Sequence, residues 1–191
     1  MRIALVVFVA LGLSCGGSSG PATGTAAFSG SVRGQSLTPH DATASVLSFS
    51  ANGVPGSAAF IAITSSSGLC SMLSGGKEPK STRYLVLTAF QVQPNYSAAP
   101  PPAPGVYSVG ALSIENAVAL ITATDASCQV VTPETVAATS GSITFTSVGN
   151  RYAGSFDLTF GLGDHVTGTF DAPVCAGLAG LSPGTGSLTC Q

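Results

Sequence analysis

The strongest constraint on the fold lies in the last third of the chain, where apolar and polar residues alternate through three short runs. Ile143 and Phe145 mark the first run (142–148), Phe156, Leu158 and Phe160 the second (154–160), and Val166 and Phe170 the third (166–171). A period of two places every apolar side chain of a strand on one face, whereas a helix would scatter the same residues around its axis. Gly149 and Asn150 suit a two-residue turn, which sets Val148 opposite Arg151 and Ile143 opposite Phe156. A three-residue loop, Leu162, Gly163 and Asp164, then sets Phe160 opposite Val166 and Phe156 opposite Phe170. A two-residue loop there would turn one apolar set to solvent, because a slip of one residue reverses the face. The expectation is a three-stranded antiparallel meander with one buried face. The similar strings Gly154–Asp157 (GSFD) and Gly168–Asp171 (GTFD) follow from that shared design.

Upstream, further strand-like runs separated by turn residues begin at Ala26. Phe28, Gly30 and Val32 alternate with Ser29, Ser31 and Arg33, and runs at 42–49, 59–64, 84–92, 106–109 and 117–124 follow. The run Tyr84–Phe90 (YLVLTAF) is apolar on both faces and reads as a covered strand. The one helical turn expected is Leu69–Leu73, ahead of Gly75 and Gly76, and Ala98–Pro104 (AAPPPAP) reads as a stiff extended surface loop. Together these runs predict an all-β fold: an antiparallel β-sandwich or barrel-like domain over 26–191, with about eight to ten strands.

Charge is scarce. The chain has 191 residues, of which 6 are basic and 8 acidic, or 7%, against about 25% in ordinary soluble domains. No basic patch exists to neutralise phosphates, so nucleic acid is not an expected partner. No apolar run of 18 residues exists for a permanent membrane helix.

The amino terminus sets the expected compartment. Met1 and Arg2 precede an apolar run, Ile3–Leu13, too short to span a bilayer and suited to the core of a signal peptide. Gly12, Leu13 and Ser14 then lead into Cys15. This start resembles the signal peptide of bacterial lipoproteins, whose short lipobox ends in a cysteine that becomes the acylated N-terminus. The same residues also satisfy the small-residue rule for ordinary secretory cleavage. Residues 1–14 are thus expected to be a signal peptide, and 15–25 a lipidated Cys15 followed by a flexible Gly/Ser tether. Lipidation of Cys15 would leave Cys70, Cys128, Cys175 and Cys190, an even set suited to two disulfides in an oxidising compartment. Three pairings are open. Pinning the tail after the meander favours Cys175–Cys190, which leaves Cys70–Cys128.

No coherent catalytic set emerges. Gly16–Gly20 and Gly180–Gly184 both fit GxSxG, but the first lies in the tether. In the second, Pro183 follows the serine and has no N–H for an oxyanion hole. The histidines form two His-Asp pairs, His40 with Asp41 and Asp164 with His165; converging, they could hold zinc or copper, though the spacing is no metal signature. Asp157 and Asp171 fall on the outward face with Thr159, Thr167 and Thr169, while Glu78, Glu115 and Glu134 fall in loops. There is no Trp, and Tyr96 and Tyr107 are read as loop tyrosines, so aromatic platforms for sugar are few.

The chain as a whole resembles uncharacterised lipoproteins of the bacterial cell envelope, in its lipobox-like start, its Gly/Ser tether, and the segments GLCSML, TDASC and GDHVTGTFDAPVC. The resemblance implies export, anchoring to a membrane through Cys15 and an all-β domain, and it implies no activity or cofactor. The expected function is a non-enzymatic structural or interaction module of the envelope, with an envelope protein or glycan as partner. The alternative is a small-ligand or metal-binding lipoprotein that uses the domain interior or the His-Asp pairs.

Overall fold

The structure is a computed structural model that describes residues 23–51, 53–92, 98–110, 116–181 and 188–191. The signal-peptide region, Cys15, most of the tether, Tyr96, Glu115 and the serine of the second GxSxG string lie outside the described residues.

The fold is all-β. Nine strands form one curled sheet: β1 (Thr25–Gly30), β2 (Asp41–Ala51), β3 (Val54–Thr64), β5 (Arg83–Val92), β6 (Gly105–Val109), β7 (Asn116–Ala123), β8 (Val136–Ser147), β9 (Arg151–Phe160) and β10 (His165–Pro173). Their order across the sheet is β1-β10-β9-β8-β6-β7-β5-β3-β2. Two short strands, β4 (Lys77–Glu78) and β11 (Thr189–Cys190), pair separately in parallel, and the one α-helix among the described residues is α1 (Leu69–Ser74). The helix and every strand run expected from the sequence are present. The sheet is mixed rather than purely antiparallel, because β6 and β7 pair in parallel along the flank of the long β8.

Curling brings the two ends of the sheet together along a short seam. Beyond β10, Val174 bridges Ala44 of β2, the Cys175 amide donates to the Ala44 carbonyl at 2.7 Å, and the Thr43 hydroxyl donates to the Pro173 carbonyl. The interior holds two kinds of side chain. Ala42, Ala44, Ala59, Ala89, Ala117 and Ala119 line the β2-β3-β5-β7 side, while Tyr107, Phe145, Tyr152, Phe156, Phe160 and Phe170 project from β6, β8, β9 and β10, all in one buried cluster. Ile61, Ile63, Leu85 and Leu87 belong to the same cluster, so small and branched residues of one side face the rings of the other. A second cluster lies outside the sheet, where Leu69 and Leu73 of α1 and Leu178 pack with Ala62, Tyr84 and Cys175. This explains why YLVLTAF is apolar on both faces: Leu85, Leu87 and Ala89 face inward, and Tyr84 and Val86 meet the outer cluster.

The meander keeps the expected faces but not every expected partner. Ile143 pairs with Phe156, and the seven apolar residues that define its inward face are all buried. A register shift between Phe145 and Ser147 sets Ser147 against Ala153, so residues 148–150 join the strands where two turn residues were expected. The β9–β10 register differs from expectation by two residues: Val166 pairs with Leu158, Gly168 with Phe156 and Phe170 with Gly154. The loop is Gly161–Gly163, one residue earlier than expected, and is closed by the Phe160 amide on the Asp164 carbonyl at 2.8 Å.

The reason lies in the two strings GSFD and GTFD. Setting Phe156 opposite Phe170 would crowd two rings into one interior layer. A shift of two residues preserves the faces and sets each ring against the other strand's glycine. A Cβ on Gly168 would sit 2.4 Å from the Phe156 ring, and one on Gly154 would sit 3.1 Å from the Phe170 ring. Each phenyl thus covers a bare backbone.

The disulfides are Cys70–Cys175 and Cys128–Cys190, which corrects the expected pairing. Closeness in sequence misleads here. The seam carries Cys175 onto β2 and beneath α1, which bears Cys70, while β11 pairs with β4 and brings Cys190 to the turn at Cys128.

Gly168→Ala should destabilise the protein by about 2–3 kcal/mol, because the added methyl meets both the Phe156 ring and the Ala27 carbonyl at 2.1 Å. Urea denaturation followed by tyrosine fluorescence measures this; a loss below about 0.5 kcal/mol, within the range of ordinary surface changes, would contradict the pairing.

Candidate functional site

Between β1 and β2 the chain forms a strap, residues 31–40, across one end of the curled sheet. Val32 and Leu37 insert into the interior and are 3% exposed, so the strap is anchored by burial. Between them Val32 and Gln35 exchange backbone hydrogen bonds around Arg33 and Gly34, whose positive φ of 53° and 74° makes a tight reversal.

Arginines latch the strap. The Arg33 amide donates to Asp164 Oδ2 at 2.7 Å and its guanidinium to the Pro133 carbonyl at 2.6 Å. Arg83, the first residue of β5, donates from Nη1 to the Ser36 carbonyl, and from Nη2 to Gln35 Oε1 and, at 2.7 Å, to Glu134 Oε2. Both members of the Arg83–Glu134 pair are about two-thirds covered.

A groove of about 540 Å³ opens beside the strap. Its walls are strap residues 36–38, Ser65, residues 81–83 and 123–125, Val131 and Glu134. Beneath the latch is a smaller void of about 40 Å³, between Val32, Ile121 and Val136. Several groove hydroxyls are engaged: Thr82 Oγ1 donates to the Lys80 carbonyl, Thr124 Oγ1 donates to the Pro79 carbonyl, and Ser65 Oγ accepts the Arg83 amide. Asp125 Oδ1 accepts the Ser127 and Gln129 amides at 2.7 and 2.9 Å. Among the described residues, the hydroxyls of Ser36, Thr38 and Ser81, Asp125 Oδ2 and Glu134 Oε1 have no partner. Ser81 adopts φ 49°, which carries the chain around the groove wall.

The residues singled out in the sequence are spread over the fold. Asp41 is buried at the seam, where its carboxylate accepts the amides of Gly24, Ala42 and Leu69 at 3.1, 2.9 and 2.9 Å. His40 is exposed beside it and bonds through its backbone to Thr64. Asp164 holds the strap, and His165 Nε2 meets Asp157 Oδ1 at 2.8 Å on the surface, so each His-Asp couple is divided between different tasks. Among the described residues no three His, Cys, Asp or Glu side chains come together as a metal centre. Asp171 pairs with Arg151. Tyr107, expected in a loop, lies buried in β6 and donates to the Ala103 carbonyl, which ties the proline-rich segment to the strand that follows it. Ser57 Oγ donates to the Pro100 carbonyl of the same segment. Only Glu134 among the expected acids reaches the groove. Arg83, Asp125 and the free hydroxyls carry no sequence signature, although Arg83 is the one charge in an otherwise uncharged strand.

Behind the groove wall, burial raises the Glu78 carboxyl above its ordinary range. Burial, and secondly the Glu78 charge, raise the Tyr84 phenol. Burial, and secondly Tyr107, raise Tyr152. A raised carboxyl in the folded state means stability that is fully present below the unfolded pKa and lost as pH rises through the folded one. Glu78→Gln should therefore raise Tm at pH 7 and leave it unchanged below about pH 4, measured by thermal melts at both pH values.

Arg83→Met should release the strap at a cost of about 1 kcal/mol, since its ion pair is partly exposed. Hydrogen exchange should speed up at the Gln35 amide while β3 and β5 stay protected. The chain matches no protein-family model, no curated protein and no solved structure.

Proposed function

We propose that this chain is an exported lipoprotein, anchored to a membrane of the cell envelope through Cys15, whose domain serves as a non-enzymatic interaction module. One observation carries the non-enzymatic part: the charged side chains are spent on architecture. Among the described residues, every one except Lys77, Glu78 and Lys80 makes an ion pair or hydrogen bond that holds a turn, the strap, the seam or the β9–β10 pair. The groove's charged groups, Arg83, Asp125 and Glu134, are each already held in such a contact.

Export draws support from the two disulfides, which belong to an oxidising environment. Among the described residues no helix is long and apolar enough to cross a membrane. A lipid on Cys15, followed by the Gly/Ser tether, would let the domain stand off from the bilayer, and two or more acyl chains give lasting attachment. The alternative, a small-ligand or metal-binding lipoprotein that uses the domain interior or the His-Asp pairs, draws less support, because Asp41, Asp164 and His165 are divided among the seam, the strap and the β9–β10 surface.

The test is expression of the full chain in a bacterial host that processes lipoproteins. The wild-type chain should fractionate with membranes, and intact-mass measurement should show an acylated Cys15 with the other four cysteines oxidised. Cys15→Ser should move the same folded domain to the soluble fraction. Wild-type protein found soluble and unacylated would overturn the anchor, and free thiols at Cys70 or Cys128 would overturn the compartment.

A further inference from the structure

We infer that the groove beside the strap binds a neutral, hydroxyl-rich ligand, that is, a short saccharide segment. The inference extends the non-enzymatic reading above by naming the ligand class, and it is independent of the lipid anchor.

Arg83 is the groove's only cation, and its guanidinium is committed to the Ser36 carbonyl, Gln35 and Glu134. No fork of donors remains for a carboxylate or phosphate, the geometry by which arginine takes such anions. Asp125 and Glu134 are the only carboxylates, and they form no three-ligand group with any His, Cys, Asp or Glu among the described residues, too few for a divalent cation that seeks six or more oxygens. The apolar wall is limited to Leu37, Ala123 and Val131, which does not enclose an apolar ligand.

What is left over is complementary to a polyol. Asp125 Oδ2 and Glu134 Oε1 are acceptors with no donor from the protein itself and face the open groove, and the hydroxyls of Ser36, Thr38 and Ser81 both donate and accept. A sugar presents neighbouring hydroxyls that donate to a carboxylate while accepting from a second group, so one ring can satisfy both sets. The volume of about 540 Å³ lies within the range of small-molecule sites and is open at one side, as a chain-like ligand requires. The carboxylates are also held in place beforehand. Asp125 is oriented by the Ser127 and Gln129 amides and Glu134 by Arg83, so little ordering cost falls on binding.

The test uses the disulfide-intact chain and three neutral probes: maltotriose, cellotriose and triacetylchitotriose. Isothermal titration should show saturable binding of at least one of them, and NMR amide shifts should be confined to residues 36–38, 81–83 and 123–134. Asp125→Asn keeps the oxygen that caps the Ser127 and Gln129 amides, and Thr38→Val keeps the shape of the strap, so both should retain the wild-type Tm. Each should weaken binding by about tenfold, the loss of one hydrogen bond to or from the ligand. The inference is overturned if none of the three sugars binds at about 20 mM, well above weak specific affinities, or if both variants bind like wild type. Shifts of the same amides with sodium phosphate or calcium chloride would likewise overturn it in favour of a charged ligand. Chromatography of the recovered sugar separates the two readings: intact sugar with groove binding supports both, whereas cleaved sugar leaves the ligand class standing and ends the non-enzymatic function.

Discussion

A sheet of nine strands with this curl has two ends that must meet or be covered, and the buried Asp41 carboxylate is where they meet. Three backbone amides converge on it: Gly24 leading into β1, Ala42 at the start of β2, and Leu69 at the start of α1. A buried carboxylate is tolerated only when hydrogen bonds replace its lost hydration, and here those bonds come from three segments that share no ladder. Gly24 fits because a Cβ there would lie 1.8 Å from the Ala42 carbonyl, so the chain passes through the seam at its narrowest point. The Cys70–Cys175 bridge closes the same corner from outside by fixing α1 to the segment that follows β10. The strap ends where β2 begins, so the same corner fixes that end of it.

The distance between what the sequence showed and what the fold contains follows from the range of the interactions. The inward and outward faces of 142–171 were legible because parity is local: each strand carries it in its own residues, and Ile143, Phe156 and Phe170 are buried as expected. Register is less local. Parity permits slips of two residues, and the choice among them fell to two glycines, Gly154 and Gly168, that leave space for a ring on the neighbouring strand. The disulfide pairing was not legible, because Cys175 and Cys190 are near in sequence while the seam and the β4–β11 pair carry them to different partners. The groove lay furthest from view. Ser36, Ser81 and the pair Asp125 and Glu134 come from three separate connections, and nothing in their spacing relates them until the strap is latched across the sheet.

The scarcity of charge now has a structural meaning on both surfaces of the sheet. Outward positions of the meander carry Thr159, Thr167 and Thr169, with Asp157 hydrogen-bonded to His165 and Asp171 ion-paired with Arg151, so much of the solvent face is polar through hydroxyls. Hydroxyls suit a pleated surface, and they release the few ions for tasks where direction matters. Arg33 and Arg83 are the clearest cases. Arg33 reaches from the strap, and Arg83 from the start of β5, to the turn at Pro133 and Glu134, and the Arg83 guanidinium has enough directed donors to hold a carbonyl, an amide oxygen and a carboxylate at once.

That division of labour also determines where recognition can occur. In a chain whose rings fill the interior and whose ions hold the connections, the groups left for a ligand are hydroxyls and the unused oxygens of carboxylates already fixed by structure. Such groups bind weakly one at a time and gain selectivity from geometry, so the site must be rigid to be useful. The latch provides that rigidity: the Arg83–Glu134 pair that closes the strap also aims the free Glu134 oxygen, and the turn at Ser127 that caps Asp125 aims the second. The Cys128–Cys190 bridge, set in the same turn, limits its motion from behind. The stability of this end of the fold and the shape of its groove are therefore set by the same few contacts.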